Sequence, residues 1–197
     1  MLDIQKLNYY FGLFKNLELK DFTAIFKLAK IRKIKVSEIY INEGDFYNKI
    51  GYIKKGLIRG YFIKENGDEI TTIIRWEDQF ITSHDGVLFN KPSRLFYQAL
   101  ENTTLIEVDY DVAQTFMAKN PKLEEGRKHF MLKMLAESIT RVESFLLLSP
   151  EERYLQFIKD KPDIINRIPD KYIATLLGIT PVSLSRIKKR IFHKKIL

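Results

Sequence analysis

Apolar and polar positions alternate in three distinct ways along this chain, and each pattern predicts a different element. Residues 1–33 place Leu19, Phe22, Ile25, Phe26 and Ala29 in a stripe among Lys and Asp, which predicts a helix packed onto the strands C-terminal to it. From Ile34 to about Asp111 the character changes to strand. IKVSEIYI, KIGYIKKG, LIRGYFI, EITTIIRW, LFYQAL and TLIEVD are rich in Ile, Tyr, Phe and Thr. Turn signals separate them at Glu43-Gly44-Asp45, Gly56 and Asn66-Gly67-Asp68. Asn-Gly between two strand-like runs predicts a hairpin with a type I′ turn, which needs positive φ at both central residues. Glycines at 44, 56 and 67 recur about one strand plus one turn apart, as in a small antiparallel roll or jelly roll. The aromatics here are assigned to sheet packing, in preference to a platform for stacking bases.

Pro121 breaks the strand pattern, and a long helix is expected from about Leu123 to Leu148. Leu132, Leu135, Ile139, Val142 and Leu146 recur at spacings of 3, 4, 3 and 4, the seam of a coiled coil. Met131, Met134, Phe145 and Leu147 widen the apolar face, so one side can touch the roll while the other meets a partner. A helix buried within one chain competes with a dimer helix; the dimer is favoured because it also explains the reading of a palindromic site. Ser149-Pro150-Glu151-Glu152-Arg153 reads as a hinge, with proline in the first helical position after a serine cap and acids in the first turn. A compact three-helix headpiece follows over 151–197, punctuated at Asp160-Lys161-Pro162 and Arg167-Ile168-Pro169.

Within that headpiece, DKYIATLLGITPVSLSRIKKRI (170–191) reads as two short helices pinched around a glycine. The first carries Ile173, Ala174, Leu176 and Leu177 and stops at Gly178, which can enter the left-handed region without a Cβ clash. Thr180 then caps a second helix with Pro181 at its first position. Leu184, Ile187 and Ile191 face inward. Val182, Ser185, Arg186, Lys189 and His193 fall on the opposite face. Six Lys/Arg and no acid lie between Arg186 and Lys195. A basic outer face on a helix able to enter a major groove points to DNA, against a helical hairpin in a core with a merely solvated basic tail.

Charge agrees with that placement. The 197-residue chain has a net charge of +8, and residues 151–197 hold 11 Lys/Arg against 5 Asp/Glu, leaving the first 150 close to neutral. There is no cysteine, which excludes disulfides, cysteine-ligated iron–sulfur clusters and thiol redox sensing by these residues. No apolar run approaches the ~20 residues that span a bilayer, and the N-terminus does not read as a signal peptide. A cytoplasmic protein without membrane contact is the expectation. His84, His129 and His193 make no metal-spacing motif, and no phosphate loop, nucleophile elbow or paired-carboxylate signature is present, so an enzyme is not expected and no cofactor or metal is assigned. A hydrolase using the roll as a cupin-like barrel would need a His/Glu cluster that the strands lack.

Glu43-Gly44-Asp45, the Gly56-Leu57-Ile58-Arg59 strand start, Asn66-Gly67-Asp68-Glu69-Ile70 and the C-terminal motif, in that order, resemble the Crp/Fnr family of transcription regulators. The resemblance implies an α+β fold in three parts. Residues 1–120 form an antiparallel, jelly-roll-like β-roll related to cyclic-nucleotide-binding domains, 121–148 a dimerisation helix, and 149–197 a helix-turn-helix (winged-helix-like) DNA-binding domain. It implies a homodimer on double-stranded DNA, with RNA polymerase and an unidentified small-molecule effector as further candidate partners. Arg186 matches the family's base-reading arginine, suited to guanine O6 and N7. Thr180, Pro181, Val182, Ser183, Ser185, Lys189 and Arg190 complete the expected DNA face, Val182 for a thymine methyl and the polar groups for phosphates or base edges.

Departures from the family bear on the effector. No Gly-Glu stands at the ribose-binding position, where Thr82, Ser83, His84, Asp85 and Gly86 occur. The phosphate-binding pair is reversed as Ser93-Arg94, with the arginine one residue late, which in a strand turns a side chain to the other face. Ser93 and Arg94 stay the candidate effector residues, but a different ligand, or none, is expected in place of a cyclic nucleotide. The sequence ends at Leu197, where most relatives continue into a β-hairpin wing, so wing contacts are missing or the sequence is short of its end. The rival reading is a ligand-sensing β-roll whose headpiece contacts protein instead of DNA.

Overall fold

The computed structural model describes residues 27–119, 121–160 and 162–194. Most of the helix expected over 1–33 lies outside them; within them, 30–33 belong to a strand. Eight strands, β1 (Lys30–Ile34), β2 (Ile39–Ile41), β3 (Lys49–Lys55), β4 (Leu57–Ile63), β5 (Glu69–Trp76), β6 (Phe80–Ile81), β7 (Phe96–Ala99) and β8 (Thr103–Asp109), form two antiparallel sheets ordered β1-β8-β3-β6 and β2-β7-β4-β5. The two inner faces meet in a core of Ile34, Tyr40, Ile41, Ile53, Ile58, Ile81, Tyr97, Ala99 and Leu105. This is the expected roll.

The β4–β5 hairpin turns differently from the expectation for Asn-Gly. Gly67 alone at its tip has positive φ, +86°. The Gly67 N–H donates to the Lys64 carbonyl at 2.8 Å and the Lys64 N–H to the Asp68 carbonyl at 2.9 Å. That pattern is a type I turn closed by a left-handed glycine, not type I′. Asn66 is free of the left-handed region because its side chain serves the loop, accepting from the Asp68 N–H at 3.1 Å.

Two helices interrupt what read as strand and loop. Helix α1 (His84–Phe89) is capped by Ser83, whose Oγ accepts from the Gly86 N–H, and α2 (Tyr110–Ala118) by Asp109, whose carboxylate accepts from the Asp111 and Val112 N–H groups. Helix α3 (Pro121–Leu147) is the expected long helix. Helix α4 (Pro150–Asp160) follows through a reciprocal cap: the Ser149 N–H donates to Glu152 Oε2 at 2.8 Å and the Glu152 N–H to Ser149 Oγ at 3.3 Å. After a 3₁₀ turn at Ile165–Arg167, α5 (Asp170–Leu176) and α6 (Pro181–Lys194) complete the headpiece. No described helix is long and apolar enough to cross a membrane.

The headpiece lies against the roll. Strand β4 is buried on both faces from Leu57 to Tyr61. Alternation sends Ile58 into the roll, while Leu57, Arg59 and Tyr61 point outward, and Tyr172 of α5 lies over the Arg59 guanidinium. Leu57 and Ile74 thereby join Tyr154, Ile164, Ile168, Ile173, Ala174, Leu176, Leu177, Leu184 and Ile187 in a second core.

Candidate nucleic-acid interface

Helix α5 stops because Leu177 and Gly178 turn the chain, Gly178 at φ +71°. The glycine has a second reason to be bare: a Cβ there would sit 2.8 Å from the Phe145 ring of α3. Thr180 restarts the helix as expected, its Oγ1 accepting from the Ser183 N–H at 3.2 Å and its hydroxyl lying 3.0 Å from Ser183 Oγ. Leu184 and Ile187 are buried against α5, which fixes the rotation of α6. Pro181, Val182, Ser185, Arg186 and Lys189 are therefore exposed together on its outer side. The His193 side chain lies outside the described residues.

Two expected DNA residues are already engaged. Arg190 stands at the flank of that face and donates to Glu151 of α4 at 2.8 Å. Ser183 is spent in the cap with Thr180. On the other flank Lys188 pairs with Asp170. Among the described residues, Arg186 and Lys189 are in no ion pair.

The seam Leu132, Leu135, Ile139, Val142 and Leu146 runs exposed along α3, at 51 to 77%. Among the described residues, no side chain covers this stripe.

The effector candidates do not converge. Ser93 is buried and its hydroxyl donates to the Leu95 carbonyl at 2.8 Å. Arg94 is 83% exposed and its Nε pairs with Asp85 Oδ1 at 2.9 Å. Nearby, burial holds the half-buried His84 imidazole below the ordinary histidine value, the Arg75 guanidinium lowers it further and the Asp85 carboxylate opposes both. An unfolded chain, with its histidine near ~6.5, then takes up a proton that the fold refuses. This contribution to stability is present above the unfolded value and fades as pH falls below it. Urea denaturation at about pH 7 and about pH 5.5 is expected to show a smaller loss for His84→Gln than for the parent chain.

Four arginines to which the sequence assigned no binding or packing role join the headpiece to the rest. Arg59, 1% exposed, lies 3.8 Å from the ring centroids of Tyr61 and of Tyr172 on α5, pairs with Glu69 at 2.6 Å and donates to Gln98. Arg141 of α3 donates to the Thr72 carbonyl of β5 and to the Leu176 carbonyl of α5. Arg153 of α4 donates to the Leu148 and Leu177 carbonyls at 2.7 and 3.2 Å. Arg167 makes four N–H···O contacts of 2.7 to 2.9 Å with Glu77 and Glu101 of the roll, and these hydrogen bonds raise its already high pKa. Only Arg59 left a trace in the sequence, a charge between Leu57 and Tyr61 on one face of a strand.

No protein-family model matches the chain. It is 32% identical over 134 residues to the anaerobic regulatory protein of Haemophilus influenzae, covering 66% of this chain and 50% of that one. Against the fumarate and nitrate reduction regulatory protein of Vibrio cholerae it is 28% identical over 185 residues, covering 86% and 72%. The structure of FixK2 from Bradyrhizobium japonicum superimposes with a TM-score of 0.74 at 14% identity, over 86% of this chain and 87% of that one. The chain spans about half the length of the first of these relatives. In sequence and in fold the chain is similar to regulators of the Crp/Fnr family.

Proposed function

We propose that this protein is a sequence-specific DNA-binding transcription regulator that acts as a homodimer and is not an enzyme. The observation that carries the reading is the outer face of α6, where Val182, Ser185, Arg186 and Lys189 stand exposed while Leu184 and Ile187 anchor the helix from behind. Such a helix, with a capped N-terminus and a cationic face, fits a major groove. Arg186 reads a guanine, Val182 packs on a thymine methyl, and Lys189 neutralises a phosphate. The α3 seam pairs two copies so that two such helices meet two half-sites. The roll does not take a cyclic nucleotide through Ser93 and Arg94, since Ser93 is buried with its hydroxyl bonded to the Leu95 carbonyl while Arg94 stands 83% exposed at the surface.

A binding selection from random duplexes, run on the purified protein and on Arg186→Ala, tests the assignment. The substitution is expected to cost about 1–3 kcal/mol, roughly 5- to 150-fold, at one position of each half-site and to relax preference there. An unchanged sequence preference would overturn the base-reading role, and binding to no duplex at all would overturn the DNA reading itself.

A further inference from the structure

We infer that Arg167 is a second kind of DNA contact, a backbone-binding cation held in reserve by two roll carboxylates that stand where phosphates would. This rests on the DNA-binding reading above. In a helix-turn-helix, the second helix enters the groove and the first crosses the sugar–phosphate backbone. Arg167 ends the 3₁₀ turn that leads directly into α5, the first helix, whose first residue, Asp170, pairs with Lys188 at the flank of the α6 outer face. Its planar fork meets Glu77 and Glu101 through paired N–H···O contacts, the geometry in which arginine also grips phosphate.

The contact is built to be exchanged. Arg167, Glu77 and Glu101 side chains are each 29 to 35% exposed, so solvent screens the pairs and a polyanion can compete for the cation. The surrounding seam is imperfectly satisfied. Among the described residues, Arg59 Nη1 and Thr71 Oγ1, both buried beside α5, have no hydrogen-bond partner. Glu77 sits in the turn between β5 and β6, and β6 leads into α1, so movement of that stretch reaches the latch directly. While the latch is closed, the roll competes with DNA for the headpiece.

The test is the salt dependence of binding to a random-sequence duplex, compared between the parent protein, Glu77→Gln with Glu101→Gln, and that pair with Arg167→Ala. Glutamine keeps an oxygen for the Gly56 N–H, which donates to Glu77 at 2.8 Å, so the roll is preserved. The double variant is expected to bind several-fold more tightly. Its slope of log K against log salt should steepen by about 0.9, the value for one phosphate per bound protomer. Adding Arg167→Ala is expected to remove both gains. An unsteepened slope in the double variant, or a gain that survives Arg167→Ala, overturns the latch while leaving the DNA reading intact. Binding by none of the proteins overturns both. Should the double variant not fold, Glu101→Gln alone is read in the same way.

Discussion

A chain carrying Leu135→Glu and Ile139→Glu is expected to sediment as a monomer and to lose about 10²- to 10⁴-fold in affinity for a two-half-site operator. The two side chains are 57% and 51% exposed in the single chain, so the substitutions leave the protomer's own cores untouched. In a dimer they would face their symmetry mates across the seam, burying like charges without partners. The large factor comes from linkage: once one headpiece is bound, the second acts at high effective concentration, and that advantage vanishes with the dimer. Sedimentation velocity on the double variant checks the first half and an operator titration the second. A variant that stays dimeric would remove the seam from the dimer interface.

Arg59 carries the second large effect, and its sign depends on what replaces it. Arg59→Ala is expected to lower stability by about 2–5 kcal/mol, because it leaves a cavity between Tyr61 and Tyr172. Arg59→Met keeps most of the volume and removes a guanidinium whose buried Nη1 has no partner among the described residues. Apolar replacement of a buried ion pair is often neutral or stabilising, and Glu69, 41% exposed, can turn to water. The methionine variant should therefore cost far less than the alanine one. Thermal or urea unfolding of both distinguishes the cases; equal losses would mean that charge and not filled volume holds this part of the seam.

These arginines also mark where reading the chain as a sequence stopped. Local rules were legible: the Thr180 cap, the Gly178 turn, the Ser149–Glu152 hinge and the 3-4 seam of α3 depend on neighbours within a few residues. Short helices were missed where the signal was a single cap. Asp109 looked like the end of a strand, and α1 is set by tertiary contact, since a Cβ on Gly86 would lie 2.1 Å from the Tyr47 carbonyl. At Asn66-Gly67 the dipeptide is compatible with two turns, and the pairing of Lys64 with Asp68 selects the longer loop. Docking of the headpiece could not be read at all. Glu77 and Glu101 lie 90 and 66 residues from Arg167, and nothing local to any of the three distinguishes them from ordinary surface charges.

The position of α5 has one more consequence. Strand β5 is the last of its sheet, and two of its backbone groups are occupied from outside it: the Thr71 N–H donates to Thr175 Oγ1 of the headpiece at 3.1 Å, and Arg141 of α3 donates to the Thr72 carbonyl. An uncovered edge of EITTIIRW, rich in β-branched residues, would offer itself to another chain's strand. The headpiece thus also shields its own protein from fibre-like self-association, and a truncation after residue 147 should precipitate where the longer chain stays dissolved.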